Sequence, residues 1–148
     1  MSEDPESADS AAPNQAPPLE NYNLYSSDLA LSAGVEQHGA SWAVESLKSF
    51  GEVVGTSEII ALARAADRHP PELQTHDRQG NRRDIVEFHP AYHQLMTVGC
   101  SVGVHSSPWA EPRPGAQVAR AAMYLLYGQV ENGTQCPMTM TFAATPVL

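Results

Sequence analysis

Two histidines, His89 and His93, are four residues apart, a spacing that places two imidazoles on one face of a helix. Such a pair can bind a metal ion. However, no glutamate follows His89 as it would in a zinc-protease motif, and the spacing of the other residues suggests no third ligand. The alternative is that His89 caps the helix while His93 packs or faces solvent. We therefore predict no metal site.

Cys136 is a candidate nucleophile, with His105 or His93 as its base. Nothing around it is electropositive, and Pro137 follows directly. The alternative is a small apolar side chain buried in the core. We therefore assign no catalytic residue.

The basic residues form one small cluster, Arg78, Arg82 and Arg83, around a predicted turn. A phosphate or nucleic-acid contact would need this charge to be free. We expect a solvated turn instead, because nearby carboxylates on the same hairpin can pair with the arginines. These carboxylates are Glu72, Asp77 and Asp84. The glycines form neither a dinucleotide-binding nor a Walker pattern.

The charge and composition limit the classes of function. The net charge is −9; five of the 17 acidic residues precede Asn21, which leaves 12 against all 8 basic residues. An acidic body repels phosphate, so we expect no direct binding of nucleic acid. No apolar run is long enough for a membrane helix. Met1 to Pro18 has no basic start and no apolar run, so we do not expect a signal peptide. We expect a cytoplasmic protein with reduced cysteines.

The length of 148 residues suits a single domain preceded by a tail. Met1 to Pro18 contains four acids and four prolines but no aromatic or β-branched residue. Such a segment cannot bury enough apolar surface to offset its chain entropy. We therefore predict a disordered acidic tail over residues 1–18 and a folded domain over 19–148.

Apolar periodicity and capping residues predict an all-α fold with a hairpin insertion. Ser27 is the expected N-cap of the first helix and Gly39 its left-handed end, while Ser41 and Thr56 or Ser57 are expected to cap the next two. The five predicted helices are Asp28–His38, Trp42–Val54, Ser57–Asp67, Pro90–Val104 and Gly115–Asn132. Val86 and Phe88 alternate with charged residues, and Gly80-Asn81 interrupts the segment, so Glu72–Phe88 is predicted as a β-hairpin.

Three further segments carry weaker signals. Asn21 to Tyr25 is predicted to be extended, and Ser107 to Pro114 to be a proline-rich turn. Thr145 followed by Pro146 has the pattern of a helix start, a capping hydroxyl before a proline at the first position. Because only two apolar residues follow, we expect that the chain is the truncated N-terminal part of a longer protein.

Three segments closely resemble the N-terminal region of AidB-type proteins, adaptive-response relatives of isovaleryl-CoA dehydrogenase. They are HPPEL at His69–Leu73, FHPAYH at Phe88–His93 and CPMTMTFAATP at Cys136–Pro146. The last is the most specific, because no periodicity argument predicts such a string. The resemblance covers roughly Asn21 to Leu148.

The resemblance implies a larger protein with a helical N-terminal domain, a β-barrel and a C-terminal helical bundle. It also implies FAD bound between the barrel and the bundle, a homotetramer, DNA binding through the C-terminal domain, and a role in the response to DNA alkylation. The flavin site and catalytic base would lie beyond Leu148, so we expect this chain alone to be inactive and without cofactor. It would need the remaining domains or a split-gene partner; the alternative is a small helical interaction module.

The resemblance further implies that this domain supplies one wall of an acyl pocket, in the segment Gly133–Thr145 that joins two helices. The residues placed near that pocket are Met138, Met140, Thr141 and Phe142. Met and Phe suit an adaptable apolar lining, and the Thr141 hydroxyl can meet a polar atom of a flavin or substrate. Packing of these side chains in a helix–helix core is the alternative.

Overall fold

A computed structural model describes residues 14–148, so most of the predicted tail lies outside the described residues. Asn14 to Pro18 are exposed and belong to no helix or strand. The helices are α1 (Leu24–Ser27), α2 (Leu29–Gln37), α3 (Val44–Val54), α4 (Ser57–Arg68), α5 (Pro90–Ser101), α6 (Ser107–Ala110), α7 (Ala116–Gly128) and α8 (Gln135–Ala144). The strands are β1 (Glu72–His76) and β2 (Arg82–Glu87), and 3-10 turns occupy Ser41–Ala43 and Thr145–Val147. The predicted all-α fold with a hairpin is confirmed.

Side-chain caps define where the predicted helices start. Asp28 Oδ1 accepts a hydrogen bond from Leu31 N at 2.8 Å, so the N-cap of α2 is Asp28, one residue after the predicted Ser27. Thr56 Oγ1 accepts from Ile59 N at 3.3 Å and caps α4 as predicted. Gly39 has φ +79°, the left-handed conformation expected after α2. Ser41 does not cap α3, because a 3-10 turn over Ser41–Ala43 precedes that helix.

Two segments that were predicted without helix contain short ones. The extended prediction for residues 21–25 is wrong, since Asn23 Oδ1 accepts from Tyr25 N and Ser26 N, both at 3.0 Å, and starts α1. Asn23 also donates to Lys48 O at 2.9 Å, which fastens α1 to α3. The proline-rich turn contains α6, whose second residue is Pro108. A proline in the first turn loses no helical hydrogen bond.

The β-hairpin projects from the helical body with every strand residue exposed. Its antiparallel register pairs Glu72 with Glu87 and Leu73 with Val86, with an irregularity before His76 pairs with Arg82. The turn is longer than the predicted Gly80-Asn81 pair, because Asp77 N also bonds to Asn81 O at 2.9 Å.

The core lies between α1, α3, α5 and α7. Fully buried side chains include Leu47 on α3, Leu95 on α5, and Leu126 and Tyr127 on α7. The ring of Phe50 stacks parallel to Tyr127 with centroids 6.5 Å apart. No helix within residues 14–148 is both long and apolar enough to cross a membrane.

Candidate functional site

The two histidines considered as metal ligands have other contacts. His89 Nδ1 accepts from Ala91 N at 3.2 Å and so caps α5, and its ring stacks on His69 with centroids 4.5 Å apart. His93 packs edge-on against Phe88 and Tyr92. Over residues 14–148, no group of three or more His, Cys, Asp or Glu side chains is placed to hold a metal ion. The capping alternative for His89 is therefore confirmed.

Cys136 is exposed, so its prediction as a buried apolar side chain is wrong. It is the second residue of α8 and lines a broad groove together with Pro137. His105, one of its candidate bases, pairs with Ser106 Oγ through Nε2 at 3.2 Å. Cys100 is half-buried, and both thiols are free. The structure does not connect Cys136 to a base, and we assign it no catalytic role.

Helix α8 covers most of the segment from which the acyl-pocket prediction came. The predicted joining segment over Gly133–Thr145 is therefore wrong. Pro137 lies in the first turn of this helix, where its missing N–H is not needed. The main chain before α8 is held by Glu131, whose carboxylate accepts from Thr134 N at 2.7 Å. Gln135 Nε2 donates to Tyr124 O at 2.6 Å and connects α8 to α7.

A 3-10 turn begins at Thr145, where a helix start was predicted, but the hydroxyl of Thr145 does not cap it. Thr145 is the C-cap of α8, and its hydroxyl donates to Thr141 O at 3.0 Å rather than to a following turn. Pro146 has no N–H to donate to Phe142 O, the carbonyl four residues earlier. Trp109 Nε1 donates to that carbonyl instead, at 3.0 Å. The indole also stacks on the Phe142 ring, with centroids 5.2 Å apart.

Arg120 lies beneath this contact and ties α7 to its neighbours. Its Nε donates to Val104 O at 2.9 Å, and its Cζ lies 4.0 Å from the Phe142 ring centroid and 4.6 Å from that of Tyr124. Burial lowers the pKa of Arg120 from its usual value. One guanidinium nitrogen of Arg120 is buried without a hydrogen-bond partner in the described residues.

The four residues predicted for the pocket wall separate into inner and outer positions. Met138 is 1% exposed and packs in the core against Gly99, which is the core-packing alternative for this residue. Phe142 is half-buried between Trp109 and Arg120. Met140, at 67%, and Thr141 are exposed. The outer surface of α8, defined by Met140 and Thr141, is therefore the part that another domain or a ligand can contact.

Sequence reasoning missed Trp109 and Arg120, although each left a signal. Arg120 is the one charged residue of α7, a helix whose other residues are mostly apolar. A charge there must find polar or aromatic partners inside the domain. Trp109 gave no comparable periodic signal, because its helix is only four residues long.

A broad groove lies between α4, α5 and the loop that precedes α8. Its volume is about 860 Å³, and its wall includes Tyr22, Arg64, Phe88, Tyr92 and Cys136. This volume is within the range of small-molecule sites, about 300–1,000 Å³. A second depression of about 550 Å³ runs beside Trp109, Gln117 and Pro146.

Two solved structures share the fold of this domain. The crystal structure of Caenorhabditis elegans ACDH-11 in complex with C11-CoA has a TM-score of 0.79 at 23% identity, over 90% of this chain and 23% of that chain. The apo form of Bd2924 has a TM-score of 0.67 at 21% identity, over 76% of this chain and 23% of that one. At such identities the likeness shows a shared fold.

Sequence comparison defines the family. The model of the adaptive response protein AidB N-terminal domain matches residues 14–148, so the chain belongs to that family. It is 52% identical over 136 residues to the putative acyl-CoA dehydrogenase AidB of Escherichia coli strain K12. That match covers 91% of this chain and 25% of the relative, so the chain spans about a quarter of the length of the curated relative.

Proposed function

We propose that this domain forms part of an FAD-dependent acyl-CoA dehydrogenase-like protein of the DNA alkylation response. Within that protein, the outer surface of α8 contributes one wall of the acyl pocket through Met140 and Thr141, with Phe142 supporting it from below. The observation that carries the proposal is the character of α8, a helix that has no charged residue and yet leaves Met140 at 67% exposure.

A helix without charge is typical of a buried position, because a helix in contact with water usually has a polar face. Here the inner side of α8 packs on α5 and α7 through Met138 and Gln135. The outer side has no partner within residues 14–148 that would remove Met140 from water. This asymmetry supports a contact with another domain or with an acyl chain, and a thioether adapts to either.

The residues on this surface fit part of FAD and not the whole of it. Thr141 Oγ1 donates to Pro137 O at 3.1 Å, so its free capacity is that of a hydrogen-bond acceptor. An acceptor suits an N–H at the edge of a flavin ring. A diphosphate requires cations or several backbone N–H groups, and α8 has no cation. We therefore propose that other domains hold FAD and that this chain alone has no dehydrogenase activity.

The proposed partners follow from this division of labour. They are the barrel and C-terminal helical domains, either in the same polypeptide or as a split-gene partner, within a homotetramer. The net charge of −9 supports leaving nucleic acid to another domain. We propose a cytoplasmic location for the assembly.

The test is a chimera in which this chain replaces the N-terminal quarter of the Escherichia coli relative, with which it shares 52% identity. We expect the chimera to purify with stoichiometric flavin, read from its visible spectrum, whereas this chain alone with added FAD shows none. Stoichiometric flavin on the chain alone would overturn the division of labour. A chimera that folds cooperatively but shows no flavin would overturn the proposed role.

A matched pair of variants tests the surface itself. Met140→Lys places a charge on the outer surface of α8, and Leu29→Lys does so at another exposed apolar residue, on α2, which is 78% exposed. In the isolated chain we expect both melting temperatures to change little. In the chimera we expect Met140→Lys to lower flavin content or acyl-CoA affinity about tenfold, because an unpaired charge is buried there. Equal effects of the two variants would contradict the proposal.

A further inference from the structure

A cleft next to the depression beside Trp109 has the features of a second ligand site, and the two share Arg113 and Ala116 in their walls. It lies between α3, α5, α6 and α7 and has a volume of about 340 Å³. All its lining residues lie between Trp42 and Met123, so α8 takes no part in it. Its size is at the small end of the range for ligand cavities, about 300–1,000 Å³.

The rim of the cleft carries an arginine held in a fixed plane. The Cζ atom of Arg113 lies 3.3 Å from the ring centroid of Trp42, so the guanidinium stacks on the indole. The indole is fixed in turn, because Trp42 Nε1 donates to Pro114 O at 3.0 Å. Stacking occupies one face of the guanidinium and leaves its edge, with its N–H donors, free to bind.

The only carboxylate that approaches Arg113 within residues 14–148 is a distant one. Glu111 Oε2 lies 3.7 Å from an Arg113 terminal nitrogen, beyond the usual N–H···O range of about 2.7–3.2 Å. Glu111 also lines the cleft and is largely exposed. The two side chains therefore form a loose pair in which Glu111 can be displaced by a better carboxylate.

The part of the cleft that α7 forms, its floor, is apolar, whereas hydroxyl groups also line the cleft from Ser46, Ser101, Ser106 and Ser107. Ala116, Ala119 and Met123 on α7 supply the floor, and all three are buried. Gly103 lines the opposite side with φ +76°, and a Cβ atom there would lie 2.9 Å from Ser107 Cβ. This combination of a planar cation at the rim and a short apolar floor fits an amphipathic anion.

We propose that this cleft binds a small carboxylate with a short unbranched apolar tail. The carboxylate bonds to the free edge of Arg113 in a bidentate pair, which is the geometry that suits a guanidinium best. The tail lies on Ala116, Ala119 and Met123. Glu111 acts as a built-in competitor for the same guanidinium.

The test is a titration of the full chain with hexanoate, followed by amide and indole N–H chemical shifts. We expect saturable shifts at Gly103, Ala116 and the Trp42 indole with a dissociation constant of about 1 mM. Bound hexanoate should also slow alkylation of Cys100, which lines this cleft, and leave Cys136 in the broad groove unaffected. Hexanol has the apolar tail without the anion, and inorganic phosphate is an anion without the tail. Each should bind at least tenfold more weakly than hexanoate.

For each of three variants, the proposal predicts a direction of change in hexanoate affinity. Arg113→Gln should weaken hexanoate binding about tenfold or more, since it removes the planar cation. Glu111→Gln should tighten binding severalfold, because it removes the competing carboxylate. Arg64→Gln, in the broad groove, is the matched control and should change nothing. The proposal would be overturned if no saturable shifts appeared at hexanoate concentrations up to 50-fold above the expected dissociation constant. Equal binding of hexanol, equal binding of phosphate, or an unchanged Arg113→Gln variant would also overturn it.

Discussion

The hydroxyls of Tyr127 and Thr134 lie 2.6 Å apart inside the core and join α7 to the turn before α8. Tyr127 also donates to Leu95 O at 3.0 Å, which extends the connection to α5. The buried hydroxyl of Tyr127 thus connects α7 to α5 and to the N-terminal end of α8. The turn it reaches is the one that positions α8, and hence the outer surface of α8.

Replacing Tyr127 with Phe should destabilise the domain without changing its volume much. The variant removes the donor to Leu95 O and one partner of the Thr134 hydroxyl, which keeps its hydrogen bond to the Glu131 carboxylate. A buried group that loses its partner costs about 1–3 kcal/mol. We expect a loss of this size in the free energy of unfolding, measured by urea denaturation. Thr134→Val should cost less if added to Tyr127→Phe than alone, because the two hydroxyls share one bond. Strict additivity would contradict the coupling.

The same phenol should make stability fall at high pH. Burial raises the pKa of Tyr127 from its ordinary 10.0 to about 12. Above pH 10 the unfolded chain therefore releases this proton while the folded domain still holds it, so stability is lost as pH rises from 10 to 12. Subtracting the curve of Tyr127→Phe isolates this contribution from the other tyrosines. A constant difference between wild type and variant over this range would refute the prediction.

Gly51 and Gly34 should respond in opposite directions to alanine. Both lie within helices, where alanine is normally favoured by about 1 kcal/mol. A Cβ atom on Gly51 would lie 2.7 Å from Tyr25 N, a backbone atom of α1, whereas Gly34 has nothing within 4 Å. Gly34→Ala should therefore raise the melting temperature and Gly51→Ala should lower it. A stabilising Gly51→Ala would mean that α1 does not pack on α3 as closely as described.

Asp77 should hold the hairpin turn. Its Oδ1 atom accepts from Gln79 N and Asn81 N, both at 2.9 Å. The side-chain bond from Asn81, more than any other contact, lowers the pKa of Asp77 below its ordinary 3.8. The contribution of this carboxylate is therefore present above that pH and lost as the pH falls below it.

Amide hydrogen exchange of β1 and β2 measures this contribution residue by residue. Asp77→Ala should abolish protection in the hairpin while α7 stays protected, since the strands do not contribute to the core. Asp77→Asn keeps one acceptor oxygen and should give an intermediate loss. Unchanged exchange in the hairpin after Asp77→Ala would contradict the role of the turn.

Much of the fold could be predicted from local chemistry. Thr56 and His89 cap the helices they were expected to cap, and the alternation of Val86 and Phe88 with charged residues indicated the hairpin. Helix α1 was missed because the side-chain oxygen of Asn23 starts a helix of only four residues, too short for any periodicity. Helix α8 was missed because it has no charged residue and contains Pro137, and its polar residues do not form one face, so no amphipathic pattern marked it.

The candidate site was less predictable for the same reason. When a helix has no polar face, the sequence does not indicate which side faces the core, and Met138 and Met140 are equivalent in type. Only packing distinguishes them: Met138 fits against Gly99, where a side chain on the glycine would collide with it. The Arg113–Trp42 stack was also invisible, because its partners are 71 positions apart and the spacing of the chain does not indicate that they meet.

The bond from the Trp109 indole to Phe142 O makes the last turn of α8 dependent on a segment 33 residues earlier in the chain. Fraying of the last turn of α8 therefore breaks its contact with Trp109. Loosening of α6 in turn removes the indole N–H that donates to Phe142 O. The two elements should open together as a single cooperative unit in native-state exchange, although they are remote in sequence. The last turn of α8 thereby reports on the integrity of α6, a helix in the interior of the chain.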